Sequence, residues 1–196
     1  VMANFNPVIS NEKSKPDILL LGNLHTEIQL SAINQLNNKP SAIILDTMNY
    51  WIENFWETVK EVISKVDIIS INDEESEMIT GQKDLSKAAS VLHSMGPKFV
   101  IIKKGKKGAE LFNYEKRYAT GVFDVEKVID PTGAGDCFIG GISGFLSQSD
   151  EISFESIKSA IDYGTSLASF NVEEMGTKNL LNLSMNDVQK RVNKLK

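Results

Sequence analysis

From Asp17 onward the chain alternates short continuous apolar runs with stretches whose apolar residues recur every three or four positions. The runs "DILLLG" (residues 17 to 22), "SAIILD" (41 to 46), "VDIISI" (66 to 71) and "KFVIIK" (98 to 103) each give way to Gly, Asp, Asn or Lys. Short apolar runs without alternation read as strands buried on both faces, the pattern of a parallel sheet covered by helices. Between them, "EIQLSAINQL" (27 to 36), "NFWETVKEVISKV" (54 to 66) and "LSKAASVLHSM" (85 to 95) carry helical stripes. The second stripe runs through Phe55, Val59, Val62 and Ile63, and the third through Leu85, Ala88, Ala89, Leu92 and Met95. This alternation predicts βαβ units and an α/β fold with a mostly parallel sheet.

After Gly105 the pattern changes. "GAELFN" (108 to 113) and "KRYATGVFDV" (116 to 125) are closely spaced and strand-like, which predicts an antiparallel edge. Three helices follow, over residues 133 to 147, 153 to 172 and 185 to 195. The last has a capping box of Ser184 with Asp187 and a staple of Leu183 with Val188. No internal repeat, low-complexity tract or linker divides the chain, so a single α/β domain over residues 1 to 196 is the expectation.

Composition narrows the partners. The chain has 196 residues, 41% of them hydrophobic, enough for a core. Its 21 basic against 26 acidic residues argue against a surface that wraps nucleic acid. Cys137 is the one cysteine and His25 and His93 the only histidines, so neither an internal disulfide nor a zinc-ligand spacing can be assembled. The opening "VMANFNPVISNEKSKPD" is polar, and no stretch approaches the roughly 20 apolar residues of a membrane span. A cytoplasmic protein with no membrane partner is expected.

In open α/β sheets ligands bind beyond the carboxyl ends of the strands. The residues to inspect are therefore Asn23 and His25, residues 46 to 49 and 72 to 75, residues 103 to 108, and the loop from Asp130. The most informative stretch is "DPTGAGDCFIGG" (130 to 141). Gly133, Ala134 and Gly135 allow a tight turn, and the helical period that follows aims free N–H groups at whatever occupies the turn, by nature an anion. An ionised Asp136 in that first turn would repel a resting phosphate. The conflict disappears for a phosphoryl group in transit, with the N–H groups stabilising its charge and Asp136 taking the proton of the attacking hydroxyl. The plainer reading is a first-turn acid worth about 0.3 to 1 kcal/mol with the helix dipole. A Walker loop is absent, because no Gly-Lys-Ser/Thr stands at the required spacing. A dinucleotide fingerprint fails too, because Gly140 and Gly141 come too late, and no acid closes a strand about 20 residues further on to hold a ribose.

"VIDPTGAGDCFIGGISGFL" (128 to 146) resembles the C-terminal signature of the ribokinase-like (PfkB) carbohydrate kinases, Asp-x-Thr-Gly-Ala-Gly-Asp-x-Phe, at every fixed position. "INDEESEMITG" is similar to the family's Asn-x-x-Glu element, with Asn72 and Glu75, and "VIIKKGKKGAELF" to its nucleotide-side glycines, with Gly105 and Gly108. "ASFNVEEMGT" resembles the segment that closes over the nucleotide. The resemblance implies a three-layer αβα sandwich and transfer of the γ-phosphate of ATP to a sugar or nucleoside hydroxyl. It casts Asp136 as catalytic base and Gly133, Ala134 and Gly135 as anion hole. It implies magnesium organised by Asn72 and Glu75 through water, and nucleotide contacts from Lys103, Gly105, Gly108 and Thr165. In some members a potassium ion sits where Asp130 and Thr132 stand here, with backbone near Asn171, Glu174 and Gly176.

For Asn72 and Glu75 the plainer reading is an N-cap and N3 acid of a helix. Lys103, Lys104, Lys106 and Lys107 read equally as a solvated turn. Cys137 reads as a packing residue, Trp51, Phe55 and Trp56 as core or lid-edge aromatics, and His25 as a structural or solvent-exposed histidine. Family members begin with strands, a glycine pair and a small β lid that choose the substrate, and none of these is recognisable here. The expectation is a nucleotide-side portion that associates, as in a homodimer. The alternative is a non-catalytic nucleotide-binding module.

Overall fold

The computed structural model describes residues 5 to 10 and 16 to 195. The polar opening of the chain falls partly on residues 1 to 4 and 11 to 15, outside the described residues. The chain divides into two compact units, residues 1 to 103 with 112 to 116, and residues 104 to 111 with 117 to 196.

In the first unit, β1 (Ile18–Leu21), β2 (Ala42–Asp46), β3 (Ile68–Asn72) and β4 (Phe99–Lys103) lie side by side in chain order. All three neighbouring pairs are parallel, with Ile18 opposite Ala42, Ile44 opposite Ile68 and Ile68 opposite Phe99. These are the four predicted runs, trimmed at their ends. Their continuous hydrophobicity has a structural reason, since residues of both alternating sets are buried. Ile43, Leu45, Ile69, Ile71, Val100 and Ile102 join one core cluster, while Ile44, Ile68 and Ile101 are equally inaccessible. Burial of each such side chain is worth about 1.5 to 3 kcal/mol, which makes this sheet the main source of the unit's stability.

The crossovers are α1 (Thr26–Asn34), α2 (Asn49–Asn54) with α3 (Trp56–Lys65), and α4 (Asp73–Thr80) with α5 (Leu85–Met95). Val59, Val62 and Ile63 of α3 and Ala88, Ala89 and Leu92 of α5 supply the helical side of the core, as their spacing predicts. The predicted helix from residue 54 instead begins at Trp56, because Phe55 at φ −137° interrupts the spiral and leaves α2 as a separate turn and a half. Of the two expectations for His25, structural or solvent-exposed, its contacts realise the first. Its Nδ1 accepts the Glu27 N–H at the start of α1, and its ring packs edge-on against Trp51 and Phe55.

The second unit contains a 3-10 turn (Gly105–Lys107), β5 (Ala109–Phe112, of which Phe112 falls in the first unit), β6 (Arg117–Thr120), and the helices α6 (Ala134–Leu146), α7 (Phe154–Asn171), α8 (Lys178–Leu181) and α9 (Met185–Val192). The strand predicted over 116 to 125 ends at Thr120. Beyond it Val122 and Val128 are exposed, while half-buried Phe123 meets the Arg191 guanidinium of α9 at 4.4 Å, so the segment packs without strand pairing. A buried ion cluster marks the start of this unit: Glu110 receives Lys104 at 2.6 Å and Arg117 at 2.6 Å. Buried Asp162 of α7 accepts the Tyr118 hydroxyl at 3.1 Å. Helices α6 and α7 touch backbone to backbone. A Cβ on Gly164 would lie 2.4 Å from the Phe138 carbonyl oxygen, and one on Gly141 would lie 2.9 Å from the Gly164 Cα. The box predicted for α9 is half formed. Ser184 Oγ accepts the Asp187 N–H, but the Asp187 carboxylate takes the Ser184 hydroxyl instead of its backbone N–H.

Candidate active site

Strands β2, β3 and β4 end at Asp46, Asn72 and Lys103, so the sheet itself lines polar side chains along its carboxyl edge. Lys103 Nζ meets Asp46 Oδ1 at 2.5 Å, with side chains only 20% and 12% exposed. Ser70 stands opposite Asp46 in register, fully buried, and its hydroxyl has no partner among the described residues. One turn on, Asn72 Oδ1 accepts the Glu75 N–H at 2.8 Å and Glu75 Oε2 accepts the Asn72 N–H at 2.8 Å. The plainer sequence reading of this pair is thus realised, as a reciprocal cap on α4.

That cap does not exhaust Glu75. The residue is 5% exposed, and burial pushes its carboxyl above the usual range, against the pull of the Asn72 N–H and the Lys103 charge. A buried carboxylate with one oxygen outside the capping box suits a hard cation that takes oxygen ligands and keeps its waters, which is the character of magnesium.

In the second unit the chain approaches α6 through Asp130, whose Oδ1 accepts the Thr132 N–H at 2.9 Å. Hydrogen bonds from Thr132 hold the Asp130 carboxyl below its usual range, helped by the Gly176 N–H. Gly133 caps α6 at φ +81°, a left-handed conformation natural to glycine. The Ala134 N–H turns back to the Pro131 carbonyl at 3.2 Å, while those of Gly135 and Asp136 have no acceptor among the described residues. The Asp136 side chain is exposed beside them, likewise without a partner among the described residues. Cys137 is half-buried. Burial first and the Asp136 charge second push its thiol up, which keeps it protonated and favours the packing role.

Of the four lysines around Gly105, Lys103 and Lys104 are held by Asp46 and Glu110, and Lys106 and Lys107 are exposed. Gly108 lies buried at φ +82°, with its carbonyl accepting the Lys104 N–H at 2.7 Å. Thr165 sits mid-way along α7, 9% exposed. The structure therefore gathers Asn72, Glu75 and Lys103 into one cluster of the first unit, and Asp130, Thr132, Gly133, Ala134, Gly135 and Asp136 into one loop and helix start of the second. Two residues escaped sequence reasoning. Asp46 was only one of several residues following strands, and its contact with Lys103 spans 57 positions. Asn171 entered through its backbone alone, yet its side chain reaches Gly176. For Asp46 the signal was there, an acid closing an apolar strand.

A model of the pfkB family carbohydrate kinases matches residues 15 to 183. Over 119 residues the chain is 34% identical to the cytidine kinase of Thermococcus kodakarensis, covering 59% of this chain and 42% of that protein. Over 121 residues it is 36% identical to the ribokinase of Haemophilus influenzae, covering 59% and 38%. The matches thus span well under half the length of these relatives. The solved ribokinase of Thermotoga maritima aligns over 90% of this chain and 57% of its own at 26% identity, with a TM-score of 0.71. That of Arabidopsis thaliana, complexed with ribose and ATP, aligns over 96% and 61% at 22% identity with a TM-score of 0.77, which marks a common fold.

Proposed function

The chain belongs to the pfkB family of carbohydrate kinases, and from that membership we propose that it carries the phosphoryl-transfer machinery of an ATP-dependent kinase whose acceptor is a hydroxyl of a sugar, nucleoside or related small molecule. The observation that carries this reading is the start of α6. Two N–H groups without acceptors among the described residues and an exposed carboxylate share one helical turn. The N–H groups stabilise charge on the transferring phosphoryl group, and Asp136 accepts the proton of the attacking hydroxyl as the new P–O bond forms and the bond to ADP breaks. Gly133 sets the direction of those donors, and Ala134 starts the helix.

In the same reading Asn72 and Glu75 hold magnesium through water, and the ion, when bound, neutralises phosphate charge. Lys103, Gly105, Gly108 and Thr165 serve the nucleotide. Asp130 and Thr132 are the side chains for a potassium ion. A cytoplasmic setting belongs to the proposal, as does a homodimer.

The test has two stages. Calorimetric titration of ATP, with and without magnesium, should show saturable binding that depends on the metal. ADP formation is then followed against a panel of pentoses, hexoses and nucleosides. Asp136→Asn should keep nucleotide affinity and lower turnover by about 10²- to 10⁴-fold. A near-normal rate in that variant removes Asp136 as base. Binding without turnover on any acceptor selects the nucleotide-binding module instead.

A further inference from the structure

Asn171, the last residue of α7, is 2% exposed, and the two ends of its amide meet different fates. Nδ2 donates to the Gly176 carbonyl at 2.9 Å. Oδ1 is buried with no hydrogen-bond partner among the described residues. That oxygen lies 3.5 Å from the point a Cβ on Gly133 would occupy, so it faces the left-handed residue from which α6 starts. The amide cannot be turned round, because Gly176 presents a carbonyl that only the NH2 end can satisfy.

The surroundings are laced in the same sense. The N–H groups of Ile129 and Asp130 both donate to the Val172 carbonyl, at 2.7 and 3.3 Å. The Asp130 carboxylate accepts the Thr132 N–H at 2.9 Å and lies near the Gly176 N–H, which helps to lower its pKa. Gly176 is thus flanked by Asp130, which precedes the glycine turn, and tied by Asn171. Residues 129 to 133 and 171 to 176 form one hydrogen-bonded block, and the unpaired Asn171 oxygen is the point of that block aimed at the turn.

We propose that Asn171 is a positioning residue for the glycine turn. Its nitrogen fixes the bend at Gly176, and its oxygen is set against Gly133. The spacing between residues 172 to 176 and the N–H groups of Gly135 and Asp136 then stays constant through binding. This inference rests on the turn being the phosphoryl site, and its test separates the two.

Amide hydrogen exchange is read residue by residue by NMR on the full chain without nucleotide, for the wild type, N171A and the milder N171S. Exchange at Ile129, Asp130, Thr132 and Ala134, whose N–H groups are hydrogen-bonded within the block and the turn, should rise about fivefold or more in N171A, the loss of roughly one hydrogen bond, while Ile142 in α6 stays protected. N171S should fall between, and it serves alone if N171A does not fold. Magnesium-ATP is then titrated into the same proteins, and its Kd should rise about tenfold in N171A, with the tie to Gly176 gone. Unchanged exchange at the four amides overturns the positioning role. Raised exchange with an unchanged Kd also overturns it, because Asn171 would then be structural only. A wild type that does not bind magnesium-ATP but shows the exchange pattern overturns the kinase reading and supports the tie between Asn171 and the turn.

Discussion

In the first unit the candidate site residues are committed to one another: Asp46 holds Lys103, and Asn72 and Glu75 close each other's hydrogen bonds behind little exposed surface. In the second unit Gly135 and Asp136 stand open, and what fixes them is the backbone at Gly133 and the block behind it. The first cluster takes its shape at folding, with its desolvation met by its own partners. The second, on the proposed reading, is left for a ligand to complete, and its precision lies in the main chain. Side-chain substitutions should therefore be felt as stability in the first unit and as ligand affinity or rate in the second. Backbone positions are where the second unit becomes fragile.

The largest effect should come from Gly108→Ala. The new methyl would sit 2.2 Å from the Thr120 carbonyl oxygen at a φ of +82°, so neither rotation nor side-chain adjustment relieves it. A loss of at least about 3 kcal/mol in urea unfolding is expected, and an unchanged midpoint would show that β6 yields and that the second unit is less rigid than drawn. Next is Asp46→Asn, which removes the carboxylate in direct contact with a mostly buried Lys103. Discounted for the one-fifth exposure of the lysine side chain, the cost is about 2 kcal/mol. Replacing Lys103 by Met in the same protein should recover most of it, and a double-mutant cycle with no coupling would mean that the cluster is not held by this pair.

The smallest effect is a slope. Burial raises the Glu75 carboxyl above its ordinary 4.5, so the folded chain holds that proton more tightly than the unfolded one. The stabilisation is complete below 4.5 and is lost as pH rises through the raised value. Glu75→Gln cannot ionise, so its urea midpoint should fall less than that of the wild type between pH 4.5 and neutrality. Equal slopes would mean that the Asn72 N–H and Lys103 cancel the effect of burial.

Much of this was legible in the residues, because buried parallel strands and striped helices write their periods directly into the sequence. Strands β1 to β4 and helices α3, α5, α6 and α7 follow that rule to within a few positions. Helix α2 did not show, since six residues make too short a stripe to separate from α3. The end of β6 was hidden because Val122 and Val128 continue a strand-like pattern with nothing to bury against. At the site, the glycine turn and the capping pair are local and could be read. The Asp46 to Lys103 contact and the Asn171 side chain depend on how distant or folded-back segments meet, which no period encodes.

The backbone contact of α6 with α7 at Gly141 and Gly164 also bears on how this chain can change over generations. The Gly164 seam has no space for even a first methyl, and the obstacle there is the Phe138 carbonyl, which no rotamer can move aside. A single substitution at Gly164 must pry the two helices apart, and with them the start of α6 from the end of α7. Drift is therefore channelled to the outer faces of the pair, and the two helices pass down as one inherited block.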